Sequence, residues 1–150
     1  MELILWRHAE AEDGAPDNAR QLTAKGEKQA AKMADFLHVR LPHDVRILVS
    51  PAKRAQQTAQ ALTKHYITEP GIAPGASPET ILKAAGWPDG EGCVLIVGHQ
   101  PALGEVAALL MTGQPHYWSI KKGAVWWFAC RASKGGCQVG LRLVITPDFL

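Results

Sequence analysis

Three short, uninterrupted apolar runs, each ending at a cation or an imidazole, constrain this chain more than any other feature. Leu3-Ile4-Leu5-Trp6 runs into Arg7-His8, Ile47-Leu48-Val49-Ser50-Pro51 leads to Arg54, and Val94-Leu95-Ile96-Val97-Gly98 leads to His99. Runs of this length without polar alternation suit strands buried on both faces, as in a parallel sheet covered by helices. Open α/β sheets bind their ligands outside the carboxyl ends of the strands. Strands that deliver Arg7, His8, Arg54 and His99 to one edge describe a pocket for an anion, and the side chains suit a phosphoryl group.

The intervening segments supply the helices. Thr23 is a candidate N-cap for a helix with Ala30, Met33, Ala34 and Leu37 on one face, ending near Arg40 before Pro42. Ser50-Pro51 combines a capping residue with proline at a first helical position. It predicts a second helix that buries Ala55, Ala59, Leu62 and Tyr66 and holds Arg54 in its first turn, beside free amides that favour anions. Residues 67–92 are rich in proline and glycine and read as loop around one short helix from Ser77-Pro78-Glu79 to before Gly86. Such a segment either covers a pocket or crosses the sheet. Pro101 opens a helix that Gly113 stops, and Gly123–Arg131 with Cys137–Ile145 form a hairpin whose second strand alternates, leaving one wet face. The expected architecture is a three-layer α/β sandwich, with a mainly parallel sheet, helices on both faces and the C-terminal strands at an edge. At 150 residues the chain is expected to form a single domain, 1–150.

Several function classes drop out. A net charge of +2 gives no ground for nucleic acid as a partner. No stretch approaches the ~20 apolar residues that span a bilayer, so no membrane role is expected. Glu2 occupies the would-be basic region of a signal peptide, and a cytoplasmic location follows as the expectation. In that compartment Cys93, Cys130 and Cys137 are expected as reduced thiols, although Cys130 and Cys137 can face each other across the hairpin. The chain lacks Gly-x-x-x-x-Gly-Lys-Ser/Thr, which argues against nucleotide binding of that kind. No pattern sets an oligomeric state.

Phosphoryl transfer spreads negative charge over three equatorial oxygens, and catalysis is mostly positioning and charge stabilisation. Arg7 and Arg54 can clamp with planar, two-pronged donor sets. His8 can attack phosphorus through a ring lone pair if its other nitrogen is held as a donor, and the arginines would keep it neutral. His99 can donate a hydrogen bond to the phosphoryl oxygens. The same arginines would repel a divalent cation, so neither a metal nor another cofactor is expected. Glu10 and Glu12 read as a solvated loop face, and Glu79 as a charge that complements a helix N-terminus.

Arg7-His8-Ala9-Glu10-Ala11, Arg20-Gln21-Leu22-Thr23-Ala24-Lys25-Gly26, Ser50-Pro51-Ala52-Lys53-Arg54-Ala55-Gln56-Gln57-Thr58-Ala59 and Gly98-His99-Gln100-Pro101 together resemble the histidine phosphatase superfamily. The short length and the Arg-His-Ala-Glu-Ala form are similar to its small phosphohistidine phosphatase (SixA-like) branch. The resemblance implies a phosphoglycerate mutase-like fold, His8 as phosphorylated nucleophile, Arg7 and Arg54 as phosphate clamp, and His99 as second pocket histidine. Two departures stand out. Ala9 replaces the usual glycine, which asks the turn to do without glycine's freedom. The stretch Pro70-Gly71-Ile72-Ala73-Pro74 lacks the carboxylate with which larger members protonate a leaving group. A phosphohistidine leaves readily without that proton, whereas an alkyl ester does not. The reading is therefore a phosphatase for phosphohistidine or another labile phosphoryl group, on a protein or a small molecule. Its alternatives are a phosphatase of a small phosphorylated metabolite and a module that binds phosphorylated groups without turnover.

Overall fold

The computed structural model describes residues 1–150. In chain order it contains β1 (Glu2–Arg7), α1 (Ala24–His38), β2 (Arg46–Val49), α2 (Lys53–Gln60), β3 (Ile67–Thr68), α3 (Pro78–Ala85), β4 (Cys93–Gly98), α4 (Ala102–Thr112), β5 (Val125–Ser133) and β6 (Gly136–Ile145). The strands form one sheet in the order β3-β2-β4-β1-β5-β6. From β3 to β1 all neighbours are parallel, and β5 and β6 are added antiparallel at the far edge.

The apolar runs are continuous because both faces of each strand are covered. On β1, Leu3 and Leu5 pack with Val94 and Ile96 against α3 and α4, through Ile81, Leu103 and Val106. Ile4 and Trp6 point the other way, joining Leu95, Val97, Ile47 and Val49 under α1 and α2, where Met33, Leu37, Ala55 and Ala59 meet them. The three layers of the sequence reading are present, with helices on both faces.

Local signals set most boundaries. The Thr23 hydroxyl accepts the Gly26 amide at 2.9 Å and caps α1, whose buried stripe includes Ala30, Met33, Ala34 and Leu37. Ser77 caps α3, and Gly86 ends it in the left-handed conformation, as Gly113 ends α4. The second helix differs from the expectation. α2 starts at Lys53 after Ala52, without a side-chain cap, and ends at Gln60, so Leu62 and Tyr66 lie beyond it, packed at the margin of the core. Ser50 is taken by another partner, described below. Residues 67–68 add a short strand that the loop-like composition concealed.

At the antiparallel edge a register irregularity between Trp127 and Phe128 passes over Arg142, so Leu143 and Ile145 pack on one face of the sheet and Val139 on the other, with Leu141 exposed, and the single wet face expected of β6 does not persist along the strand. Cys130 and Cys137, expected as free thiols, are joined as a disulfide with Cα atoms 5.5 Å apart, while Cys93 is free and buried. Their places near the turn of a two-stranded ribbon bring them within bonding reach, which a reading from compartment alone missed. No helix is long and apolar enough to cross a membrane.

Candidate active site

The carboxyl ends of β1, β4 and β2 lie side by side, and the backbone continues to tie them together just past the strands. The His8 amide donates to the Gly98 carbonyl at 3.0 Å, and the Ser50 amide donates to Val97 at 3.0 Å. β4 therefore holds the residues that follow both neighbours, and His99 leaves it between them. The ring centroids of His8 and His99 are 5.2 Å apart. Arg54, in the first turn of α2, closes the group from the β2 side. Thr58 fixes this helix against β1: its hydroxyl donates to the Arg54 carbonyl at 2.8 Å and accepts the Ala9 amide at 3.1 Å.

The turn at Ala9 proceeds without a left-handed residue, since every positive φ in the chain belongs to glycine. Alanine is therefore accommodated where the family resemblance raised a doubt. Glycine is needed nearby for another reason. A Cβ on Gly26 would lie 1.9 Å from the Glu10 carbonyl oxygen, so only glycine lets α1 come this close to the loop that follows His8.

Arg7, His8, Arg54 and His99 line one small cavity of about 230 Å³. The four residues expected at the site are thus brought together. The cavity also takes Arg20, Lys122, Gln100, Asp13 and Pro74, which sequence reasoning did not single out. Arg20 stood inside a quoted stretch, and its charge in a Gly/Pro-containing loop after β1 was the one available signal. Pro74 shows that the 67–92 segment reaches the cavity as well as adding a strand to the sheet. Asp13 is the one carboxylate in the lining, and it comes from the loop after β1, whose Glu10 and Glu12 stay out of the lining.

Hydrogen bonds fix the reactive groups. His8 Nδ1 lies 2.7 Å from the Ala9 carbonyl oxygen, which can only accept, so Nδ1 carries the proton and Nε2 keeps its lone pair. His99 Nε2 lies 2.7 Å from Ser50 Oγ, and Ser50 Oγ accepts the Ala52 amide at 3.2 Å. The serine read as a helix cap is thus the partner of the second histidine. His99 Nδ1 is buried without a partner, as are Arg7 Nε and Arg54 Nε. Arg7 anchors one amino group on the Ile120 carbonyl at 2.8 Å. Arg54 is only 4 % exposed and reaches the Asp17 carbonyl at 2.8 Å and its carboxylate at 3.1 Å. Arg20 grips the other oxygen of that carboxylate at 3.1 Å. The hydrogen bonds from Arg20, then from Arg54, hold the Asp17 carboxyl below its usual range.

Burial pushes the His8 pKa down to about 4, with Arg54, Arg7 and Arg20 acting in the same direction against the Ala9 hydrogen bond. Burial likewise lowers His99 to about 3, aided by His8 and Arg54. Desolvation, more than the arginines, keeps both rings neutral. Unfolded rings titrate near 6.5. As the pH falls below that value the unfolded chain takes up these protons first, so stability falls between about pH 6.5 and the folded values, and is insensitive to these rings above pH 6.5. Ring-proton NMR is expected to show both signals flat from about pH 8 to about pH 5, while the urea midpoint holds above about pH 6.5 and drops on acidification below it. A ring midpoint near 6.5 for either histidine would contradict this.

A model described as histidine phosphatase superfamily (branch 1) matches residues 3–75. The chain is 36% identical over 126 residues to the phosphohistidine phosphatase SixA homolog of Haemophilus influenzae, covering 73% of this chain and 77% of that one. It belongs to the histidine phosphatase superfamily. The SixA-like branch is the right one within it: phosphohistidine phosphatase SixA of Escherichia coli is 29% identical over 124 residues, with 76% of each chain covered. The fold matches the protein histidine phosphatase SixA in complex with tungstate, with a TM-score of 0.81, 24% identity and 99% of each chain covered. This histidine phosphatase is accordingly a hydrolase acting on phosphoryl groups, and its sheet and layers are those of the phosphoglycerate mutase-like structures.

Proposed function

We propose that this histidine phosphatase hydrolyses phosphohistidine, through a covalent intermediate on His8. The observation that carries the reading is the hydrogen bond from His8 Nδ1 to Ala9, which leaves the Nε2 lone pair free in a pocket also lined by Arg7 and Arg54. That lone pair attacks phosphorus while the N–P bond of the substrate ring, protonated on its other nitrogen, breaks, and the bond's electron pair stays on a departing imidazole that is thereby neutral. The arginines carry the charge on the phosphoryl oxygens. The Ser50 hydroxyl, already an acceptor from Ala52, donates to His99 Nε2 and leaves the proton on Nδ1, the buried unpartnered atom, for those oxygens. Water then attacks phosphorus, the bond to His8 breaks, phosphate leaves, and a proton from that water passes to solvent.

The pocket holds cations, neutral imidazoles and one exposed carboxylate, Asp13. Nothing in it is a buried carboxylic acid poised to protonate an alkoxide. A phosphorylated imidazole tolerates this, and an alkyl ester does not. The expected result is a kcat/KM for a phosphohistidine-bearing protein at least about 10²-fold above that for a sugar phosphate. Phosphate release from each substrate measures it, and efficient hydrolysis of simple sugar phosphates would defeat the substrate reading in favour of a metabolite phosphatase.

A further inference from the structure

A second, larger cavity of about 920 Å³ opens beside the catalytic one, and Arg7 and Lys122 line both. Its walls are Lys25, Lys28 and Lys32 of α1, Lys121 and Lys122 before β5, and the C-terminal turn that contributes Asp148. Six of the chain's sixteen Lys and Arg residues thus face one groove with a single one of its fourteen Asp and Glu residues, although the chain as a whole carries only +2. The two carboxylates of α1, Glu27 and Asp35, stay out of the lining. Lys25 has a distant partner in Glu10, at 3.9 Å, whereas Lys28, Lys32, Lys121 and Lys122 have no carboxylate within 4.0 Å. Like charges four residues apart on a helix repel, and an anionic partner relieves that repulsion.

The layout indicates what kind of anion fits. Lys25, Lys28 and Lys32 follow one helix face over ~10 Å at ~1.5 Å per residue. A single phosphate or carboxylate would meet only part of this row. Lysines present mobile point charges, in contrast to the guanidinium forks that grip one oxyanion in the catalytic pocket. A row of point charges that starts beside the catalytic arginine suits successive carboxylates along a polypeptide. We propose that this groove docks an acidic segment of the phosphorylated protein substrate, next to its phosphorylated residue. The proposal rests on the phosphohistidine reading above and names the substrate surface that the reading leaves open.

The test compares the wild-type chain with Lys28→Glu/Lys32→Glu and Lys28→Arg/Lys32→Arg, neither of which touches the catalytic pocket. Phosphoramidate reports that pocket alone, and a phosphohistidine-bearing protein with an acidic flank reports the groove as well. Charge reversal is expected to raise KM for the phosphoprotein by about ten-fold and to flatten its salt dependence, with phosphoramidate turnover within about two-fold of wild type. The arginine variant keeps wild-type values. In parallel, a labelled Glu-rich peptide should bind the wild-type chain at low ionic strength and lose about ten-fold in affinity on reversal. Equal effects on both substrates, an unchanged phosphoprotein KM, or tighter retention of a labelled DNA duplex than of the peptide would overturn the proposal. If the wild-type chain hydrolyses phosphoramidate and leaves the phosphoprotein intact, the substrate reading fails instead, and the peptide measurement still decides whether the groove takes an acidic segment.

Discussion

His8→Ala is expected to lower turnover of any phosphoryl substrate by at least about 10⁴-fold and to remove the phosphorylated protein that rapid-quench mass spectrometry should detect in the wild type. The size of the effect follows from the geometry. No other unprotonated, uncommitted nitrogen faces the phosphoryl position: the His99 ring is engaged by Ser50, and the lysines and arginines are cations. Arg7 and Arg54 remain, so inorganic phosphate should still bind the variant within a few-fold of wild type. That split, chemistry lost and anion binding kept, separates a nucleophile from a residue that merely shapes the pocket. Tight binding with neither adduct nor phosphate release in the wild type, across activated substrates too, would leave a phosphate-binding module.

The second large effect is expected at Arg54. Arg54→Lys keeps the charge and gives up the planar fork, which cannot be replaced at a buried position where one edge is already engaged by Asp17. A fall in kcat/KM of about 10²- to 10³-fold is expected, as for the loss of a preorganised donor to a transferring group. Circular dichroism of the variant checks that α2 persists. The same fall in a variant whose helix is intact assigns the loss to the fork, and a change under about five-fold would mean that Arg54 acts as a point charge only.

The four residues of the central group were legible because the sequence marks them twice. Each follows a strand long and apolar enough to be recognised, and each is a residue type that has no reason to end such a strand other than to meet solvent or a ligand. Loops carry no comparable marker. Asp13, Asp17 and Arg20 sit in a polar stretch where composition offers many charges, and their roles depend on where the loop folds back, which Arg54 and the β1 end determine. Lys122 reaches the pocket through a connection to β5 whose path no local pattern encodes. Ser50 shows a different kind of miss. Its neighbour Pro51 made a helix cap the natural reading, but its hydroxyl had a partner 49 residues away in His99, and that tertiary contact prevailed over the local motif. The disulfide was missed for another reason: the hairpin already allowed Cys130 and Cys137 to face each other, but their thiol state was inferred from compartment.

The strand order has a consequence for how the site comes into being. β4 is the last of the three site-bearing strands to appear in the chain, yet it lies between the other two. Until it inserts, β1 and β2 have no edge in common, and the residues at their ends have nothing to hold them at a common distance. The segment that the family model matches, 3–75, contains Arg7, His8 and Arg54 and stops short of this strand. Those three residues depend on a strand outside that segment for their relative placement. The site is therefore a non-local construction: its geometry exists only where β4 pairs with β1 on one side and with β2 on the other, so a change that loosens β4 reaches all four residues at once.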